Sequence, residues 1–204
     1  MYFIGDVHGR FGEYKAILKD IGEHKSIQVG DMGLGFAGDL DTNFPEIDHH
    51  YFIRGNHDNP DVCCTKKNYL GDFGICVSIE EECEHKDIFY VSGGTSHDRN
   101  MRVEGRDWWH DEVFSYDTMK SALKMYSDIR PDIVASHVAP TEIVKKMFSS
   151  QYKDPMETLL QEMFEIHKPE HWIFGHYHMP FFRLVKGTYF KGLDSLEVYQ
   201  LITE

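Results

Sequence analysis

Apolar residues in this chain fall in short blocks, each closed by a glycine or a polar turn. Blocks at residues 2–4, 26–29, 51–53, 88–91, 133–136 and 172–174 predict short β-strands. Between several of them the spacing changes to a helical one. Residues 12–21 place Tyr14, Ile17, Leu18 and Ile21 on one face, and residues 155–166 do the same with Met156, Leu159, Leu160 and Met163. Residues 116–126 predict a third helix. Strand, helix and strand in succession point to an α/β layered fold. Toward the C-terminus, blocks at 181–185, 188–190 and 196–202 follow one another across turns such as Lys186-Gly187, which predicts an antiparallel meander. No repeat, low-complexity tract or linker interrupts the pattern, so residues 1–204 are expected to form a single domain. The long stretch without periodicity at 93–111 is the exception, and a loop of that length is functional or mobile as a rule.

Composition narrows the classes. A chain of 204 residues, 41% hydrophobic, can bury one core. No apolar run approaches the roughly 18 residues of a membrane span, and no signal peptide or anchor is recognisable. Cys63, Cys64, Cys76 and Cys83 have neither zinc-knuckle spacing nor a disulfide-dense pattern, which predicts reduced thiols and a cytoplasmic location. A formal charge of −13 disfavours a broad nucleic-acid surface, so a phosphate-bearing ligand needs a local positive centre. Of the 13 histidines, His24, His49, His50, His85, His97, His110, His167 and His171 have no distinguishing spacing and read as solvated or hydrogen-bonded imidazoles.

The other five belong to polar clusters that each follow a predicted strand: Gly5-Asp6-Val7-His8-Gly9, Gly30-Asp31-Met32-Gly33, Gly55-Asn56-His57-Asp58, Ser136-His137-Val138-Ala139-Pro140 and Gly175-His176-Tyr177-His178. Ligands of α/β sheets collect at the carboxyl ends of strands, so the five clusters should meet on one rim. Taken singly, Asp6 or Asp31 would be a turn residue and Asn56 a turn amide. Asp6 and His8 lie two apart, as do His176 and His178, and in extended backbone each pair would point the same way. Oxygen and imidazole donors without a thiolate suit manganese, iron, nickel or zinc, whereas calcium has no use for imidazoles.

In this order GDVHG, GDMG, GNHD, SHVAP and GHYH resemble the five motifs of the calcineurin-like metallophosphoesterases, over residues 5–178. The resemblance implies two mixed β-sheets packed as a sandwich and flanked by helices. It implies two divalent ions, manganese first among the candidates. Asp6, His8 and His178 would hold one, Asn56, His137 and His176 the other, with Asp31 bridging. The ions would contribute +4 against about −3 from Asp6, Asp31 and a bridging hydroxide, leaving a positive centre in an acidic protein, and that hydroxide would attack the phosphoryl group. His57 would be the general acid or a donor to a phosphate oxygen, with Asp58 orienting its ring and keeping it protonated.

The substrate is less legible. The family's phosphoprotein phosphatases carry GD-x-x-DRG as second motif, with an arginine that clamps phosphate. Here the stretch runs Gly30-Asp31-Met32-Gly33-Leu34-Gly35-Phe36, which favours phosphodiesters or small phosphorylated compounds, a nucleotide or nucleic-acid end among them. A phosphomonoesterase of the protein phosphatase kind is one alternative, and a non-catalytic scaffold on the same fold another. Such scaffolds typically lose a ligand or the catalytic histidine, and this chain keeps all of them. In the loop at 93–111, Arg99, Arg102 and Arg106 with Trp108 and Trp109 are candidates for gripping phosphate and stacking on a flat group, against an alternative in which the indoles only anchor the loop. Arg54 reads as structural.

Overall fold

A computed structural model describes residues 1–38, 43–81, 84–148 and 154–202, apart from the side chains of 77–86. Cys83 lies outside the described residues. Among these residues, ten strands form two mixed sheets. The smaller contains β1 (Tyr2–Ile4), β2 (Ser26–Val29), β3 (His50–Ile53) and β10 (Val198–Gln200) in the order β10-β1-β2-β3. The larger contains β4 (Phe73–Glu81), β5 (Glu84–Val91), β6 (Ile133–Ser136), β7 (His171–Phe174), β8 (Phe181–Val185) and β9 (Thr188–Gly192), ordered β4-β5-β6-β7-β9-β8. The central pairs β1–β2, β2–β3, β5–β6 and β6–β7 are parallel. Parallel neighbours need crossovers, and helices α1 (Phe11–Ile21), α3 (Tyr116–Ile129) and α5 (Pro155–Ile166) lie in them. The two short helices are α2 (Pro60–Cys63) and α4 (Thr141–Met147).

Both faces of the central strands are covered, which is why they are continuous apolar blocks with no polar alternation. Phe3, Ile27, Val29 and Ile53 of the small sheet meet Ile88, Ile133, Ala135 and Ile173 of the large one. On the outer side of the small sheet, Ile4 and Phe52 pack on Tyr14, Leu18 and Ile21 of α1. On the outer side of the large sheet, Phe89, Val134, Trp172 and Phe190 pack on Ala122 and Tyr126 of α3 and on Leu160, Met163 and Phe164 of α5. The layers therefore run helix, sheet, sheet, helix, as the motif resemblance implies.

Helix starts follow from local chemistry. Asp154 caps α5 by accepting from the amides of Met156 at 2.7 Å and Glu157 at 3.1 Å, ahead of Pro155 in the first turn. Ser115 caps α3 through the Thr118 amide at 3.2 Å.

The expected C-terminal meander is corrected by the structure. Its first two strands form the β8–β9 hairpin, but the third crosses to the other sheet and pairs antiparallel with β1. The crossing is held by the Leu196 amide on the Asp6 carbonyl at 3.0 Å and the Gly5 amide on the Glu197 carbonyl at 2.9 Å. The C-terminal strand thus braces the first polar cluster. Among the described residues no helix is long and apolar enough to cross a membrane.

Candidate metal centre and its cleft

The five polar clusters follow the carboxyl ends of β1, β2, β3, β6 and β7, and their side chains meet between the two sheets. Asp6, His8, Asp31 and His178 form one group of donor atoms within 4.8 Å of each other, and Asp31, His137 and His176 form a second. Asp31 belongs to both. The Asp6 carboxylate lies 2.9 Å from His178 Nε2 and 3.7 Å from His8 Nε2, and the two imidazole nitrogens are 2.8 Å apart. In the second group, His137 Nε2 lies 3.3 Å from Asp31 Oδ1, 3.2 Å from Asn56 Oδ1 and 3.2 Å from His176 Nδ1. Acceptor atoms crowded this closely need a shared proton or a shared cation between them.

The extended geometry expected for the paired residues is not what brings them together. His8, Asp31, His176 and His178 all have positive φ, at 48°, 51°, 68° and 47°. Left-handed backbone costs a non-glycine residue roughly 1–2 kcal/mol, and here it turns the donors inward immediately after each strand. Hydrogen bonds between clusters hold these turns: the amides of Val7 and His8 both donate to the Asp31 carbonyl at 2.9 Å. The His176 amide donates to the Asp6 carboxylate at 3.1 Å, and the His57 amide to Asp31 Oδ1 at 2.8 Å. Close approach explains two of the flanking glycines. A Cβ at Gly55 would collide with the Asp31 carboxylate, and one at Gly175 with that of Asp6.

The set fits divalent cations on its own chemistry. His137 Nδ1 donates to the Val29 carbonyl at 2.9 Å, which turns Nε2 toward Asp31 and Asn56. Asn56 donates through Nδ2 to Ser96 Oγ at 3.2 Å, so its amide oxygen faces the donor group. Ser96 is itself fixed by Glu112, which accepts from its amide and its hydroxyl, each at 2.7 Å. Burial would push both central carboxyls up, but His178 and His8 hold Asp6 below the usual range and His137 holds Asp31 well below it. His137 itself, which burial would lower, is driven up to about 9 by Asp31. Burial and the neighbouring His137 push His176 down to about 3.

His57 stands beside this group, half-buried, its ring stacked on Phe36 at 4.5 Å and edge-on to His8 at 5.0 Å. Arg102 Nη2 lies 2.9 Å from His57 Nε2. A guanidinium only donates, so Nε2 accepts. Burial and Arg102 outweigh Asp31 and lower the His57 pKa. Asp58 does not play the part expected from sequence. Its carboxylate, fully buried, accepts from the amides of Met32, Gly33, Leu34 and Gly55 at 3.1, 2.7, 3.1 and 2.8 Å. It clamps the second cluster to the third, and its hydrogen bonds among the described residues go to these amides and not to the His57 ring that it was expected to orient and keep protonated. Burial and Asp31 push Asp58 up to about 6 against the pull of those amides.

A cleft of about 460 Å³ opens beside the donors, lined by Thr95, His97, Asp98 and Arg102 from the loop after β5 and by Val144, Phe148, Glu157 and Tyr177 from later in the chain. Of the five loop residues expected to meet substrate, Arg102 alone lines this cleft. Its guanidinium is held by Asp98 at 2.8 Å and by the Asp107 carbonyl at 3.2 Å. Arg99 is exposed and, with Trp108, lines a neighbouring groove. Arg106 is also exposed, and its carbonyl accepts from the Ala37 amide at 2.8 Å. Trp109 is buried near Phe36, which makes it an anchor of the loop in place of an exposed stacking platform. Arg54, as expected, is structural: it is buried and pairs with Asp72 at 3.0 Å. Ser96, Glu112, Phe36 and Glu157 escaped the sequence reading, since none stands in one of the five clusters, and Tyr177 escaped it because it stands between two histidines of the last cluster that carry the donor pattern.

Solved structures share this fold at low sequence identity. GAP50, the anchor in the inner membrane complex of Plasmodium, matches with a TM-score of 0.54 and 8% identity over 95% of this chain and 71% of its own. A phosphopantetheinyl hydrolase from Mycobacterium tuberculosis matches with a TM-score of 0.52 and 12% identity, covering 95% and 89%. A candidate 5'-nucleotidase from Staphylococcus aureus gives 0.55 and 13%, covering 97% of this chain and 49% of that one. No curated protein matches the sequence. The sequence model of the calcineurin-like phosphoesterases matches residues 1–180, and together with the sandwich fold it shows that the chain belongs to that family.

Proposed function

We propose that the protein is a metal-dependent hydrolase of phosphodiesters or small phosphorylated compounds. The observation that carries this reading is the pair of donor groups sharing Asp31. In it, Asp6, His8 and His178 would hold one divalent ion and Asn56, His137 and His176 a second, with Asp31 placed to serve both. Bound there, two divalent ions supply a positive centre for phosphate and lower the pKa of water into the neutral range. Manganese is the first candidate.

The chain's own residues do the rest. Arg102, which lines the cleft, binds a phosphate oxygen in place of His57 Nε2, with its other contacts to Asp98 and Asp107 keeping the guanidinium aimed. His57 is then released from a donor that lowers its pKa and gains an anion that raises it, so the substrate itself prepares the imidazole to give a proton to the leaving oxygen. Phe36, stacked on the ring, fixes its plane.

The fold also serves as an anchor in GAP50, so architecture alone does not separate enzyme from scaffold. The intact donor set and the arginine beside His57 favour the enzyme.

The test is an assay of manganese-loaded protein with a phosphodiester and a phosphomonoester, in wild type and His57→Ala. Hydrolysis of at least one is expected. His57→Ala should cost about 10²–10⁴-fold on an ester with a poor leaving group and far less on a nitrophenyl ester. Metal-loaded protein that hydrolyses neither class supports the scaffold. A strong monoester preference reverses the order of substrates, and equal loss on both leaving groups refutes the proton-donor role.

A further inference from the structure

Glu157 is an unusual wall for a phosphate-binding cleft. It is 4% exposed, yet it lines the cleft, and burial with the nearby Asp154 pushes its pKa up to about 7. One of its oxygens accepts from the Tyr177 hydroxyl at 3.1 Å, and that hydroxyl in turn accepts from the Ala139 amide at 3.2 Å. The other, Oε2, has no hydrogen-bond partner among the described residues.

A structural explanation is available and fails. Asp154-Pro155-Met156-Glu157 has the spacing of a capping box, in which the glutamate would reach back to the amide of the capping residue. Here Asp154 caps α5 alone, and the Glu157 side chain turns away toward Tyr177. Burying a carboxyl with one hydrogen-bond partner among the described residues costs stability, and such groups concentrate where a ligand completes them.

The residues lining the cleft come from two parts of the chain that differ in chemistry. The loop after β5 supplies Arg102, with His57 next to it, for an anion, and its Asp98 carboxylate is paired with that guanidinium at 2.8 Å. The helical segments supply Val144 and Phe148, then Glu157. A carboxyl with no guanidinium paired to it among the described residues does not attract a phosphoryl group, so these residues receive the other end of the ester. Phe148, 38% exposed and tilted against Tyr177 at 5.7 Å, gives that end an apolar surface. Tyr177 Oη is already engaged in two hydrogen bonds, which leaves the Glu157 carboxyl as the acceptor there.

Building on the phosphoesterase reading above, we propose that Glu157 is a specificity-determining residue that binds a hydroxyl or amino donor on the leaving group. The favoured substrates are esters whose alcohol has a flat or apolar framework bearing such a donor. Sites built to hydrogen-bond a substrate donor reject analogues that lack it far more strongly than apolar pockets reject a missing methylene.

Matched aryl esters test this: phosphate esters of phenol and of 3- and 4-(hydroxymethyl)phenol, as monoesters and methyl diesters, with leaving groups of similar acidity. Manganese-loaded wild type should prefer a hydroxymethyl ester by about tenfold or more in kcat/KM. Glu157→Ala should erase that preference through KM and change the phenyl ester less than about threefold. Glu157→Gln, which keeps an acceptor, should retain part of it. Equal loss on all esters would make Glu157 a brace for Tyr177 and overturn the proposal, as would a preference that survives Glu157→Ala. Calorimetry with the corresponding phosphonates measures the same preference without turnover. If no ester is hydrolysed, hydrolysis is refuted, while a phosphonate preference lost in Glu157→Ala still supports recognition by Glu157, and its absence refutes that too.

Discussion

At the scale of single residues, the site combines donors suited to a cation with a carboxyl that burial works against. Glu157 gives the second effect a measurable sign. Its pKa is raised from 4.5 to about 7 on folding, so the folded chain holds this proton more tightly than the unfolded chain. Its contribution is therefore intact below pH 4.5 and is lost as pH rises through 7. Glu157→Gln, which mimics the neutral carboxyl, should leave thermal stability unchanged near pH 4 and raise it at pH 8 by about 1–2 kcal/mol, after discounting for water in the cleft. Equal effects at both pH values would show that the group does not ionise on this scale. Sequence reading located the seven candidate ligands and His57, because clusters after strands announce themselves. It could not locate Glu157 or Tyr177 as a pair: one is a helical residue 20 positions before the other, and only the packing of α5 on the loop after β7 joins them. Arg102 was legible as one of three arginines in a loop, and the structure selects it because Asp98 and Asp107 aim it at His57.

At the scale of elements, the loops after β2 and β3 act as one unit through Asp58. Removing its carboxylate leaves four buried amides without an acceptor, and Asp58→Ala is expected to cost about 3–5 kcal/mol and to weaken metal uptake, although Asp58 is not a proposed ligand. Denaturant unfolding with metal titration checks this. A loss below about 1 kcal/mol with normal uptake would contradict the clamp. The central strands and three main helices were legible from period alone, since their blocks are long enough to show it. β4, α2 and α4 were not, because α2 and α4 are one or two turns long and the charged stretch at 80–87 blurs the end of β4. The destination of β10 was hidden for a different reason. Its block reads equally well as the next strand of a meander or as an edge strand elsewhere, and the choice is made by contacts with Gly5 and Asp6.

At the scale of the whole molecule, a net charge of −13 would repel phosphate, and the fold gathers, where strand ends from both sheets meet, the donors that would hold the cations of the proposed function. Each sheet supplies part of the donor set: Asp6, His8, Asp31 and Asn56 follow strands of the smaller, and His137, His176 and His178 follow strands of the larger. The site therefore exists only when the sandwich is closed, which ties metal affinity to folding. The most direct test of this account is a manganese titration of metal-stripped protein, following bound metal and hydrolysis of a phosphodiester in the same samples, for wild type and Asp31→Asn. Wild type should be inactive without metal and gain activity as two ions per chain are taken up, and Asp31→Asn should lose at least about 10²-fold in kcat/KM with impaired uptake. Turnover that persists in a chelator, or full activity in Asp31→Asn, would contradict it.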